Sequence, residues 1–409
     1  MEKKKLSFWT KLKQAGPGLI ICATVIGPGT VTTCSLAGIN YQYALMWCIV
    51  FAVLASTVCQ MMASRLGIIT GKGLAENIND IYRGSWLRWL FAIIVIFAIG
   101  VGNAAYQSGN VSGACLGVEA IFGGNRVIWS LLITGIAFVL LWTGKTKWLT
   151  NIMSVLVGLM VVLFVITAIV VKPDLGAVLS GFIPHLPSGS LITAIGVIGT
   201  TVVPHCFFLH SALCADKWRS EDDKDYALAN NNFDVVFSCI AAGLISMAII
   251  ITGASLFHSG ITVANGGEMA QQLEPLVGGY AKYFFGIGLF AAGITSAIAA
   301  PMSCAFAITG ICGWSTDHKS GKFRVIMIIV LAMGALVTCT NIKTTDIIVF
   351  AQAFNGILLP LSAIILLLAM NNKNILGTHV NNKWQNTFGI LIILITIFLS
   401  VKTFYSLIG

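Results

Sequence analysis

The sequence predicts an all-α integral membrane protein of about eleven transmembrane helices, arranged as two related halves that each contain one broken helix. Three observations carry that prediction. Of 409 residues 57% are hydrophobic and only 10% charged, apolar runs of span length recur along the whole chain, and Gly/Pro clusters interrupt the first and sixth of those runs. A water-soluble globular chain carries roughly 25% charged residues, so most of this surface must face lipid. A bilayer is crossed by roughly 20 apolar residues in a helix. Lipid-exposed backbone must satisfy its own hydrogen bonds, which leaves helices or a closed barrel. The apolar runs are continuous rather than alternating, which excludes a barrel.

The expected spans are 15–38, 43–66, 86–112, 127–143, 149–171, 190–214, 233–256, 280–308, 324–340, 345–370 and 385–406. They form one polytopic domain over 1–409: a first five-helix repeat at 15–171, an inverted second repeat at 190–370, and an extra C-terminal helix at 385–406. With the N-terminus inside, 19 of the 24 Lys and Arg residues fall on inner connections; only Arg126, Lys172, Lys282, Lys343 and Lys402 remain outside. That asymmetry follows the positive-inside rule. Trp9, Trp86, Trp89, Trp142, Trp148, Trp218, Trp314 and Trp384 mark the same inner boundary. An odd number of spans places the C-terminus outside. Short loops and this charge pattern suit a prokaryotic cytoplasmic membrane.

Several other classes are excluded. The formal charge of +9 lies in short loops as topogenic charge, so nucleic acid is not an expected partner, and no protein partner is indicated. The basic stretch from Met1 to Lys13 resembles a signal peptide, but the apolar run after it contains a break with a counterpart later in the chain, which argues against cleavage. Eleven cysteines form no C-x-x-C pair and most lie inside spans, where they read as small packing residues. There is no phosphate-cradling loop, zincin helix or nucleophile elbow, so an enzyme is not expected and no cofactor is implied.

The breaks carry the functional signal. The first span reads Ala23-Thr24-Val25-Ile26-Gly27-Pro28-Gly29-Thr30, and the sixth reads Gly199-Thr200-Thr201-Val202-Val203-Pro204-His205-Cys206. Proline removes a donor and clashes with the preceding turn, and glycine permits unwinding. One such span would be a proline kink. Two, at Gly27, Pro28, Gly29 and at Pro204, occupy corresponding places in two halves, the pattern of an inverted-repeat transporter whose cargo binds at the paired breaks.

At these residues the sequence resembles the NRAMP family of proton-coupled divalent-metal transporters, and the resemblance implies a LeuT-type fold. The sixth span's Val203-Pro204-His205 followed by Leu209-His210-Ser211 is similar to the family's M-P-H and L-H-S. Gly16-Pro17-Gly18 and Ala37-Gly38 flank the first break as in the family. Ala291-Ala292-Gly293, Ala351-Gln352 and Leu359-Pro360 fit the eighth and tenth spans. The departures matter more. Where the family has D-P-G-N this chain has Gly27-Pro28-Gly29-Thr30, so the metal-binding carboxylate and the amide are replaced. Val203 replaces the methionine whose thioether favours soft metals. Gln107 and Asn110 stand where the family carries an acidic pair on its proton route, and Ile294 replaces a glutamine of the eighth span. The branch most resembled is a distant prokaryotic one proposed to carry magnesium.

Independently of the family, none of the fifteen carboxylates falls near the middle of a span, with Glu119, Asp234 and Asp346 at span ends. Proton relays through membranes use Asp, Glu or His, and by depth only His205 and His210 qualify. Proton coupling through the usual family carboxylates is therefore not expected. Candidate cargo ligands are carbonyls around 25–27 and 200–203, the hydroxyls of Thr30 and Thr200, His205 and Gln352, with Gly27 and Val203 enlarging the site. His205 serves equally well as a cap for freed carbonyls, and Gln352 as a bridge between helices. His210 suits structural hydrogen bonding or gating. A neutral, hydroxyl-lined site suits a partly hydrated ion, because Mg²⁺ sheds water reluctantly; Mn²⁺ is the companion candidate. Amides at the first break favour instead a small organic solute such as an amino acid. A non-transporting sensor on the same scaffold is the third reading.

Overall fold

The computed structural model describes residues 16–143, 146–257 and 266–408. The basic N-terminal stretch with Trp9, and Lys145, lie outside the described residues. Thirteen principal helices make up the fold: α1 (Pro17–Val25), α2 (Pro28–Tyr41), α3 (Met46–Thr70), α4 (Leu87–Phe122), α5 (Arg126–Thr143), α6 (Thr146–Val170), α7 (Leu191–Thr201), α8 (Pro204–Lys217), α9 (Lys224–Ala254), α10 (Ala281–Cys312), α11 (Gly321–Thr338), α12 (Thr344–Met370) and α13 (Lys383–Ile408). Among the described residues nine helices are long and apolar enough to cross a membrane. Two of the eleven expected spans are not among these nine. One is the first span, split into α1 and α2; the other is α6, of which Gly158–Val170 is counted as apolar.

Both breaks end at a proline that opens the following half-helix. Gly27 is extended (φ −96°, ψ −177°) and Pro28 opens α2; Val203 is extended (φ −86°, ψ 118°) and Pro204 opens α8. Proline suits a first helical position because its absent N–H has no partner there in any case. Gly29, grouped with the break in the sequence, lies instead in the first turn of α2. The unwound residues are Ile26, Gly27, Val202 and Val203.

The seventh span starts earlier than the apolar pattern indicates. Asp223 caps α9 by accepting from the Tyr226 amide, so the helix begins at Lys224 rather than near 233. Asp234 therefore sits about three turns inside α9, buried, at the level of the inner end of the first span. Its carboxylate accepts from the amides of Gly16 (3.0 Å) and Gly18 (2.9 Å). These are orphan donors at the start of α1, where an anion also complements the helix dipole.

α10 packs along α4, α7 along α12, and α9 against α2 and α3, so the two broken spans are enclosed by continuous ones. The α7–α12 approach depends on Gly199, where a Cβ would overlap the Gln352 carbonyl oxygen and lie 2.6 Å from the Gly356 nitrogen. Small residues at such crossings let membrane helices pack closely. The result fixes Gln352 beside the breaks. α4 contains a π-helical stretch at Ile96–Val101 just before Asn103, Tyr106 and Gln107, the kind of irregularity that recurs at functional sites.

Candidate functional site

The two breaks meet through their threonines. Thr30, in the first turn of α2, and Thr200, near the end of α7, place their Oγ1 atoms 2.7 Å apart. The Thr30 hydroxyl also bonds the carbonyl of Val25, the last residue of α1. The carbonyl of Thr24 accepts from the hydroxyls of Tyr106 on α4 (3.2 Å) and Ser296 on α10 (3.3 Å). Of the carbonyls around 25–27 expected to serve cargo, that of Val25 is thus engaged by Thr30 and that of Gly27 by the Val31 amide, while Thr24 just before them is held by α4 and α10. Buried polar groups in an apolar medium demand such partners.

Gln352 on α12 stands over the start of α2. It is fully buried, neither of its amide atoms has a hydrogen-bond partner among the described residues, and a Cβ on Gly29 would overlap its Nε2. A buried amide with both ends unpaired costs on the order of 1–3 kcal/mol per group. Glycine at 29 is what allows the amide this close. Asn355 one turn on has an unpaired Nδ2, and Asn103 on α4 has both amide atoms unpaired.

Gly27 does not open the wider space that its small size suggests. The Oγ of Ser296 lies 2.7 Å from where a Cβ on Gly27 would stand. A serine from α10 therefore fills the position that a side chain at 27 would enter. Val203 is fully buried in the second break.

His205, in the first turn of α8, does not cap a freed carbonyl through its Nε2, which is buried without a partner. Its ring packs against Tyr106 with centroids 4.8 Å apart, and its backbone carbonyl accepts from Ser303 (2.7 Å). His210 turns elsewhere: its Nδ1 is 2.7 Å from Gln60 Oε1 on α3. It lines a cavity of about 10 Å³ together with Cys22, Gln60, Thr201 and Ser238, room for about one water. Gln107 and Asn110 form a neutral pair on α4. Asn110 Nδ2 lies 3.4 Å from Gln107 Oε1, and Gln107 Nε2 donates to the Ala297 carbonyl of α10 (3.2 Å).

The structure thus brings Thr30, Thr200, Gly27, Gly29 and Gln352 together, and sets His205 beside Tyr106. His210, Gln107 and Asn110 lie in separate contacts. Sequence reasoning missed Ser296, Tyr106, Gln60 and Asp234. Among the described residues no group of three or more His, Cys, Asp or Glu could hold a metal. The site offers hydroxyl and amide oxygens, neutral hard donors suited to a hydrated cation or a polar solute.

The Nramp family model, described as natural resistance-associated macrophage protein-like, matches residues 18–406. A divalent metal cation transporter MntH of Yersinia pestis is 30% identical over 412 aligned positions, covering 97% of this chain and 96% of the relative. Another MntH, from Deinococcus radiodurans, is 28% identical and covers 96% and 90%. Among solved structures, a mutant of the Eremococcus coleocola manganese transporter superimposes with a TM-score of 0.78 at 21% identity, covering 98% of this chain and 88% of that one. MhsT in complex with L-phenylalanine gives 0.57 at 15% identity, covering 95% and 98%. The structural likenesses establish a LeuT-type fold.

Proposed function

The chain belongs to the Nramp family, and from that premise we propose that it takes up divalent metal cations, Mg²⁺ and Mn²⁺ foremost, by alternating access around the paired breaks. The observation that carries this reading is the unpaired amide of Gln352 beside the joined hydroxyls of Thr30 and Thr200. Oxygen atoms of these three side chains are the acceptors a cation would use. A bare dication among neutral ligands is heavily penalised, so the ion keeps part of its water, as Mg²⁺ commonly does.

Proton coupling through carboxylates is not part of this reading. Gln107 and Asn110 hold one another and α10 without a charge to relay, and Asp234 is committed to the amides of α1. One side of the membrane opens when α1 leaves Asp234, as half-helices move in transporters of this architecture. We place the protein in a prokaryotic cytoplasmic membrane with the N-terminus inside and the C-terminus outside, on the distribution of Lys and Arg.

A second reading has its own observation. With Gly27 in place of a carboxylate, the amides opening α2 face no negative charge, which favours the carboxylate of an amino acid. Calorimetric titration of the purified chain with Mn²⁺, Mg²⁺ and a panel of amino acids separates the two. Saturable binding of either metal, weakened in Gln352→Leu, supports the cation. Amino acid binding with no metal binding replaces it with the organic solute.

A further inference from the structure

Away from the breaks, a polar cavity of about 310 Å³ opens between the short helix Leu74–Ile81, the start of α4 and the end of α10. Its charged lining is Lys72, Glu76, Asp80, Arg83 and Arg88. The two carboxylates are already committed. Asp80 pairs with Lys72 at 2.6 Å, a bond that holds the lysine ammonium above its ordinary pKa, and Glu76 accepts from the Gly73 amide at 2.8 Å. The two guanidiniums are not. Arg83 has no ion pair or side-chain hydrogen bond among the described residues, and Arg88 has no carboxylate partner. Arg88 spends one of its five donors on the Cys312 carbonyl at the end of α10 (3.1 Å). The buried Oδ1 of Asn79, a further lining residue, lacks a donor.

The cavity sits at a membrane boundary. Arg88 lies over the Trp89 ring at 5.5 Å, and Trp86 and Trp89 are 71% and 67% exposed, as aromatic belts at headgroup level are. Guanidinium forks match phosphate oxygens two by two.

We propose that this cavity is a binding site for a phosphate group, with Arg83 and Arg88 holding the anion. Two sources share that chemistry: the headgroup of a lipid such as phosphatidylglycerol, and a free phosphate. Basic pockets between transmembrane helices are known to take such headgroups. The site is separate from the breaks and does not depend on which cargo the protein carries.

The test uses the full chain in neutral detergent, titrated with phosphatidylglycerol, with phosphatidylcholine and with inorganic phosphate, reading the thermal unfolding midpoint. The expected result is a saturable rise with phosphatidylglycerol, none with phosphatidylcholine, and loss of the rise in R83Q/R88Q. A K282Q variant, which changes a charge at the start of α10, keeps it. A matching rise with inorganic phosphate, also lost in R83Q/R88Q, assigns the site to the free anion. Because R88Q also removes the bond to Cys312, R83Q alone is measured, and there a severalfold higher midpoint concentration is expected at unchanged starting stability. A rise that persists in both variants, or no rise with either phosphate source, overturns the proposal.

Discussion

Thr30 and Thr200 lie 170 residues apart in sequence, and their hydroxyl oxygens meet at 2.7 Å, joining the two broken helices at the centre of the protein. Each hydroxyl sits on a half-helix, so any relative movement of the two broken spans must stretch or break that contact. Thr30 is tied a second time, to the Val25 carbonyl, so it also spans its own break.

If the two hydroxyls act as one unit, removing either weakens cargo binding by a similar amount. A buried hydrogen bond contributes about 1 kcal/mol, or roughly a fivefold change in affinity. Thr30→Val and Thr200→Val are each predicted to raise the metal dissociation constant by about that factor, and the double variant by clearly less than the product. Titration of the three variants checks this; strictly multiplicative losses would mean that the threonines act independently.

Gly29→Ala is predicted to abolish uptake while leaving membrane insertion intact, because its methyl group claims the space of Gln352 Nε2. Gln352→Ala in the same background removes the clash. The double variant is therefore expected to regain the native elution profile on size exclusion, and to transport less than wild type because the ligand amide is gone. Normal transport by Gly29→Ala alone would place Gln352 elsewhere.

Gly27→Asp restores the family's carboxylate but meets Ser296 Oγ. The serine must turn away and give up its bond to the Thr24 carbonyl, a loss of about 1 kcal/mol. Gly27→Asp combined with Ser296→Ala is therefore predicted to bind Mn²⁺ more tightly than either single variant, because the dication gains an anionic ligand. Equal affinity in all three, measured by titration, would remove Ser296 from the account.

Asp234→Asn keeps the shape but withdraws the charge that holds the amides of Gly16 and Gly18. Charged hydrogen bonds of this kind contribute about 1.5–3 kcal/mol. The expected outcome is looser seating of α1, read as faster maleimide labelling of Cys22 in a variant lacking the other cysteines. Cys22 is half-buried at present. Labelling at an unchanged rate would mean that α1 is held by its packing alone.

The sequence made the breaks visible because Pro28 and Pro204 fall at corresponding places in two halves, and the spans visible because lipid tolerates few charges. Ser296 was invisible for the opposite reason. A serine in an Ala-rich helix reads as packing, and only the fold brings it to Gly27. The start of α9 was hidden because its polar residues look like a loop; its helical character depends on the Asp223 cap rather than on hydrophobicity. Gln352 was legible as a candidate through its place in the tenth span. That both its amide atoms would lie unpaired could be learned only in three dimensions.

The most direct test of the central claim is uptake of Mn²⁺ and Mg²⁺ into proteoliposomes with lumenal pH recorded in parallel. The account predicts saturable entry of at least one metal, reduced in Thr30→Val and His205→Ala, with no stoichiometric acidification of the lumen. Acidification in step with metal entry would contradict the absence of proton coupling. Entry of neither metal would contradict the proposed cargo.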